Sequence, residues 1–399
     1  MSGMRLVKRM ERRRGPRPWR VLGPREVETR RRMRERSWIL VSYNVLAPSL
    51  CERHAHLYGA AAAFADWEYR SPLLREELRG YGAGIVALQE VESDGLEFFA
   101  SAAGLEGTVF APRGDRPEGC AILFDAQFRL AESEALLLDA GEAKSNACAI
   151  AVLDAADDRT LVVACVHLLF NPKRSDLRLR QVAAVAAKVS DLEASHAARG
   201  RRVATLVCGD FNSYPDSPVY EFMARGAVNP DRQGDPRGPA PYTPNGHLGS
   251  GTSLLSLPPP RRGFDAVVVE NPLGPLASVY ADPHPSLPKH CPGEPAFTTF
   301  IDKGTKNCVD YVFYSQADLV LLGRSELLPT AFLEAAVGLP SPDAPSDHIS
   351  LVAELAFSSG PAASSASTSS SSSSSSSSDV DYYSRRNITP RRRRRGATS

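Results

Sequence analysis

Eight side chains able to do acid–base or ligand chemistry stand where apolar runs begin or end: Asn44, Glu90, His167, Asp210, Asn212, Asp310, Asp347 and His348. Their settings are Ser42-Tyr43-Asn44-Val45, Leu88-Gln89-Glu90-Val91, Val166-His167, Gly209-Asp210-Phe211-Asn212, Val309-Asp310-Tyr311 and Ser346-Asp347-His348. Polar groups at the ends of buried strands are costly unless they satisfy one another, a metal or a ligand. A buried Glu90 calls for a partner: a hard cation bound through oxygen is the simplest one, though for a lone buried Glu a structural salt bridge is the commoner answer. Two residues apart on a strand, Asp210 and Asn212 share a side, so one can deprotonate water while the other donates to developing charge. The same pair also reads as a turn satisfying its own backbone. Asp310 or Asp347 beside His348 would fix the tautomer and keep the ring cationic. His167 suits a phosphate oxygen, although a lone histidine in such a place is more often a satisfied core residue. Together the set matches hydrolysis of a phosphate ester.

Strands must carry these residues to one edge. Apolar runs predict strands over 39–43, 85–88, 120–124, 147–153, 161–166, 203–208, 309–314 and 349–355. Helical spacing predicts a helix over 176–198, ending near Gly200, and another over 72–78 with Ser71 as cap and Pro72 in the first turn. The stretch 229–262, rich in Pro and Gly, predicts an irregular surface insertion. Strands outnumber helices and no repeat is evident, so the expected fold class is α/β, one large mixed domain of stacked sheets with helices outside.

Charge divides the chain. Residues 1–36 hold 14 Lys or Arg against four Glu, and residues 379–399 hold seven Arg against two Asp. Those ends carry +10 and +5 of a net +1, which leaves the middle at −14. An acidic body is unlike a nucleic-acid surface, whereas basic ends supply general affinity for phosphate backbone. The expected organisation is a disordered Arg-rich segment (1–36), a catalytic domain (37–358) and a disordered Ser-rich then Arg-rich tail (359–399). Seven cysteines, without C-x-x-C spacing, argue against a disulfide framework or a zinc site and for small core residues in a reducing compartment. No apolar run reaches the length of a membrane span, and the first residues lack a secretory core. Four Glu in residues 1–36 count against a mitochondrial transit peptide, so the expected location is cytoplasmic or nuclear.

The ordered segments Ser-Tyr-Asn-Val-Leu-Ala (42–47), Leu-Gln-Glu-Val-Glu (88–92), His-Leu-Leu-Phe-Asn-Pro-Lys-Arg (167–174), Gly-Asp-Phe-Asn-Ser-Tyr-Pro (209–215), Val-Asp-Tyr-Val-Phe-Tyr-Ser (309–315) and Ser-Asp-His (346–348) resemble the motifs of the exonuclease–endonuclease–phosphatase superfamily. Within it the chain is most similar to the group of carbon catabolite repressor deadenylases, nocturnin and Angel, with Leu57-Tyr58, Trp67, Arg70 and Gly119-Cys120-Ala121-Ile122 as further shared features. The resemblance implies a two-sheet α/β sandwich, Mg²⁺ (with Mn²⁺ as a substitute) and hydrolysis at the 3′ ends of single-stranded RNA. It implies Glu90 as metal ligand with Asn44 beside it and Asp347 close by. Asp210 would be the base, Asn212 would hold the scissile phosphate, and His348, oriented by Asp310, and His167 would stabilise it. Asn146, Asn171 and Pro172 would meet substrate.

Two departures bear on substrate. Thr305 stands where deadenylases of this group carry an aromatic residue for adenine, and Asn171-Pro172 replaces their Asp-Pro, as in Angel. Leucine-rich repeats for docking to a deadenylation complex are absent from the sequence. The leading expectation is a Mg²⁺-dependent deadenylase-like 3′-5′ exoribonuclease. The alternatives are an Angel-like 2′,3′-cyclic phosphatase on RNA ends and, from another class, an inactive RNA-binding adaptor.

Overall fold

The structure is a computed structural model that describes residues 17–23, 27–139, 145–171, 173–229, 268–282, 293–301, 305–328 and 338–359. Among these residues two large sheets dominate. The first has seven strands: β1 (Trp19–Val21), β2 (Ser37–Asn44), β3 (Ile85–Glu92), β4 (Gly107–Pro112), β5 (Glu118–Phe124), β16 (Leu319–Ser325) and β17 (Leu351–Phe357), in the order β1-β16-β17-β2-β3-β5-β4. The second has six: β6 (Arg129–Leu138), β7 (Asn146–Asp154), β8 (Arg159–His167), β9 (Arg202–Asp210), β12 (Ala277–Ser278) and β15 (Asp310–Tyr314), in the order β12-β15-β9-β8-β7-β6. Two short ribbons join β10 (Ala227–Val228) to β11 (Val269–Glu270) and β13 (Thr299–Ile301) to β14 (Thr305–Asn307). The helices are α1 (Val27–Arg34), α2 (Pro48–Arg53), α3 (Trp67–Tyr81), α4 (Leu96–Ala103), α5 (Ser175–Ala198) and α6 (Pro218–Arg225).

Strand alternation builds the layers. Leu40, Ile85, Ala87 and Ile122 of the first sheet pack against Leu161, Val163, Cys165, Leu206 and Val312 of the second. Their neighbours point the other way. Val41, Val86 and Leu88 meet Leu74 and Leu78 of α3, whereas Val162, Ala164 and Val166 meet Val182, Val185 and Val189 of α5. Strands covered on both faces read as unbroken apolar runs, which is why they are visible in the sequence. The expected sandwich with helices outside is the fold observed, and Cys120, Cys148, Cys165 and Cys208 are buried free thiols.

Each sheet holds one parallel pair. β2 runs parallel to β3 through α3, and β8 runs parallel to β9 through α5. The C-terminal ends of both pairs therefore carry Asn44, Glu90, His167 and Asp210. β15 runs antiparallel to β9 with Asp310 opposite Asp210, so its first residue joins the same edge.

Four local expectations are corrected. Helix α3 starts at Trp67 because the Asp66 side chain accepts from the Glu68 and Tyr69 amides (2.8 and 3.4 Å), not at a Ser71 cap. Pro72 then sits inside the helix, at a cost of about 3 kcal/mol that burial of Leu74 and Leu78 offsets. Part of the segment read as lacking order is ordered: β1 pairs with β16, and Arg17 donates to the Tyr81 hydroxyl and the Ser350 carbonyl, both at 2.7 Å. Main-chain pairing needs no apolar side chain, so an Arg-rich composition did not reveal it. His348 does not open a strand; it forms an isolated bridge with Thr299, and β17 begins at Leu351. Glu90 does not end its strand but forms a bulge within it. The predicted insertion over 229–262 falls, apart from residue 229, outside the described residues, as do residues 1–16 and the tail from 360. No helix among the described residues is long and apolar enough to cross a membrane.

Candidate active site

The backbone of β3 presents Glu90. Gln89 pairs with Cys120 and Val91 with Gly119, so Glu90 is the extra residue of a bulge, with a left-handed φ of 61°. That conformation costs a non-glycine residue about 1–2 kcal/mol, and bulges re-aim side chains next to active sites. Oε2 of Glu90 accepts from the Ala47 amide (3.2 Å), and Oε1 accepts from Nδ2 of Asn44 (3.1 Å). The same Asn44 amide donates to Oδ2 of Asp210 (3.3 Å), while its own oxygen accepts from the Leu46 amide (3.1 Å). Asn44 thus joins the two carboxylates as a donor, and its oxygen faces the backbone.

On the other sheet strand register does the work. His167 and Asp210 lie side by side on β8 and β9, and Nε2 of His167 is 3.6 Å from Oδ2 of Asp210 and 4.0 Å from Oε1 of Glu90. The strands approach closely here because residue 209 is glycine: a Cβ would fall 2.1 Å from the Val166 carbonyl, and φ is 133°. Past the strand Asp210 accepts from the Asn212 amide (2.8 Å), so the turn reading of this pair also holds. Asn212, at φ 48°, donates through Nδ2 to the Leu168 carbonyl (2.9 Å).

His348 arrives on the loop before β17. Its Nδ1 is 2.9 Å from Oδ2 of Asp310, and Nε2 is 3.8 Å from Oδ2 of Asp210. Asp310 also accepts from the Thr298 hydroxyl (2.5 Å). Asp347 accepts from the Tyr58 hydroxyl (3.2 Å), and the Ser346 hydroxyl donates to the Asn44 carbonyl (2.7 Å). Arg70 ties these loops together. Wholly buried, it donates to the carbonyls of Ala65 (2.9 Å), Val45 (3.0 Å), Leu46 (2.8 Å) and Pro345 (3.1 Å).

Burial and like charge set the protonation states. Asp210 is pushed up to about 7 by burial and then by the Asp310 carboxylate, against the pull of His348. Glu90 is raised by burial and by Asp347. Burial pulls His348 down, but Asp310, Asp347 and Asp210 outweigh it and hold the ring well above the usual imidazole range. His167 is lowered by burial, then by Arg113 and His348. At neutral pH one ring is therefore cationic and its neighbour neutral.

Ligand atoms of Asp210, Asp310 and His348 lie within 4.8 Å of one another, the grouping tight enough to share an ion among the described residues. Nδ1 of His348 is committed to Asp310, however, so this group reads better as a hydrogen-bonded acid–base unit. The oxygens of Glu90 and Asp347 fit a hard divalent cation. Asp347 is buried and Glu90 only slightly exposed, their mutual repulsion raises Glu90, and a cation would remove that repulsion.

Asn146 lies beneath the site: it donates to the His167 carbonyl (3.0 Å) and meets Gln181. Asn171 accepts the Lys173 amide (3.0 Å) in the turn before α5. Pro172 lies outside the described residues; Thr305 opens β14, and its side chain is likewise outside them. Sequence reasoning missed Thr298, the Ala47 amide and Arg113. Thr298 and Ala47 sit on irregular backbone outside the strands. Arg70 and Tyr58 were singled out only as shared features, without roles.

The chain is similar to known proteins over most of its length. A model described as Endonuclease/Exonuclease/phosphatase family matches residues 41–348. Protein angel homolog 2 of Bos taurus is 30% identical over 389 residues, covering 79% of this chain and 68% of that protein. The CCR4-Not complex 3′-5′-exoribonuclease subunit Ccr4 of Schizosaccharomyces pombe is 25% identical over 371 residues, 79% of this chain but 48% of its own length. A crystal structure of ANGEL2, a 2′,3′-cyclic phosphatase, in complex with adenosine-2′,3′-vanadate, superposes with a TM-score of 0.67 at 28% identity, covering 86% of this chain and 98% of that one.

Proposed function

From the premise that the chain belongs to the endonuclease/exonuclease/phosphatase family, we propose that it hydrolyses phosphate esters at RNA 3′ ends, with the 2′,3′-cyclic phosphate as its preferred substrate. The observation that carries the hydrolytic reading is the meeting of Asp210, His167 and the Asp310–His348 pair with Glu90 across two sheets. The cyclic-phosphate preference is supported by the likeness to the ANGEL2 complex with a cyclic adenosine analogue.

Glu90, with Asp347 close by, would hold Mg²⁺ or Mn²⁺, which would supply charge stabilisation for the phosphoryl oxygens. The chain's own residues do the rest. Asp210, held by Asn44 and the Asn212 amide, takes the proton of the attacking water; a pKa of about 7 suits a base at neutral pH. As the water oxygen bonds to phosphorus, the bond to a ribose oxygen breaks. His348, kept cationic by Asp310, donates from Nε2 to the charge that develops, and neutral His167 supports it.

The likeness to Ccr4 favours a second reading, removal of 3′ nucleotides as an exoribonuclease, which uses the same residues. An inactive adaptor fits poorly with a cationic imidazole and a raised carboxylate converging in one site. Residues 17–358 are the proposed catalytic unit, with the Arg-rich segments adding affinity for long RNA in the cytoplasm or nucleus. Purified protein with Mg²⁺ should be offered cyclic-phosphate-ended RNA, poly(A) and mixed-sequence RNA side by side. Opening of the cyclic phosphate, or its release after a second hydrolysis, without shortening supports the first reading, stepwise shortening the second, and no reaction with any of them overturns both.

A further inference from the structure

We propose that Phe170 is the platform on which the base of the reacting 3′-terminal nucleoside stacks. Phe170 is 63% exposed, a higher exposure than that of any other large hydrophobic side chain among the described residues. A single exposed apolar residue is ordinarily unremarkable on a protein surface. This one differs in how its backbone is held. The Leu168 amide donates to the Asp210 carbonyl (2.9 Å), and the Leu168 carbonyl accepts from the Asn212 side chain (2.9 Å). The Leu169 amide donates to Gln181 (2.9 Å), while Arg178 donates to the carbonyls of Leu169 and Asn171. Leu168 and Leu169 are buried, the latter against Leu177. The chain is fixed on both sides of Phe170, and the ring alone of these three side chains stands out into solvent.

Position adds the second argument. Phe170 is three residues beyond His167 and two beyond the carbonyl that Asn212 grips, a span of at most about 7 Å of chain. A nucleoside whose phosphate lies between Asp210, His167 and His348 has its base within about one nucleotide of that point. Among the described residues the ring stacks on no other aromatic side chain. A planar ring on a hydrogen-bonded backbone can accept a base at a small ordering cost, and it tolerates any base because every base has a π-face.

The inference rests on the RNA-end reading, and the test separates the two. Steady-state kinetics with Mg²⁺ would compare RNA ends bearing a terminal base with ends whose last nucleoside is abasic, for wild type, Phe170→Ala, Phe170→Leu and Phe170→Trp. Base stacking of about 1–3 kcal/mol converts to about 5- to 150-fold. Phe170→Ala should raise KM by that factor on the base-bearing end and leave kcat within about twofold, with no change on the abasic end. Phe170→Trp should restore KM and Phe170→Leu should not. Equal losses on both ends, or full rescue by leucine, would overturn the platform while leaving the RNA-end reading intact. A wild-type protein that processes neither end overturns both. Unchanged melting temperatures across the variants exclude misfolding as the cause.

Discussion

The two halves of the site are built by different means. The half from the second sheet is coded by register: His167, Asp210 and Asp310 are neighbours across three regular strands, so placing the strands places the chemistry. The half from the first sheet is coded by irregularity. Glu90 reaches the site only through a left-handed bulge, and its oxygens are met by a loop amide and by Asn44. A register-coded site inherits the stability of its sheet. A bulge-coded one depends on loops that something else must hold, and here Arg70 holds them.

Removing each half's main carboxylate should have the largest effect. Glu90→Ala and Asp210→Asn should each lower turnover by about 10³-fold or more with the fold retained, checked by single-turnover assays beside circular dichroism. Near wild-type turnover of Glu90→Ala in Mg²⁺ would sink its role as cation ligand. Next comes the orienting pair. Asp310→Asn should cost about 10²–10⁴-fold in kcat, and the His348 resonance should titrate at a much lower pH in NMR, because its chief source of cationic stabilisation is gone.

The comparison sharpens at Arg70. Arg70→Met leaves four carbonyls without their donor and should destabilise the protein by about 3–5 kcal/mol in chemical denaturation. It should weaken Mn²⁺ binding by Glu90 more than it shifts the His348 titration. Equal effects on both would show that the halves are not independent.

A smaller effect has the opposite sign. Asp210 is raised from its ordinary 3.8 to about 7, so the folded protein keeps a proton that the unfolded chain releases. Its contribution to stability is present at acid pH and is lost as the pH climbs from about 4 to about 7. Without divalent cation, Asp210→Asn should therefore match wild type near pH 4 and exceed it by about 1–4 kcal/mol at pH 8. A constant difference across that range would contradict the raised carboxylate. Least affected should be a chain truncated after residue 359, whose kcat on a short oligonucleotide should stay within about twofold of the full chain.

The same division explains what could be read without coordinates. Strands buried on both faces announce themselves as apolar runs, and their polar ends named His167, Asp210 and Asp310. Glu90 was recognisable as a buried acid, but nothing in Leu88-Gln89-Glu90-Val91 marks a bulge, since the extra residue exists only relative to Gly119 and Cys120 on the partner strand. Thr298, which steadies Asp310, and the Ala47 amide, which meets Glu90, lie on irregular backbone where local pattern carries no information. The cap of α3 was misplaced because Pro72 imitates a first turn, whereas Asp66 wins by satisfying two orphan amides.

Strand β1 has a bearing on how the protein is handled. It lies along the outer side of β16, whose main chain would otherwise face solvent over several residues. A recombinant fragment begun at residue 37, the boundary that composition suggests, would bare a strand ready to pair with another molecule, and would lose the Arg17 contacts to Tyr81 and Ser350 as well. Such a fragment would aggregate for a reason unrelated to its active site, and poor yield or self-association would be mistaken for a failure of the catalytic domain to fold. Expression designs that begin before residue 17 keep that border closed.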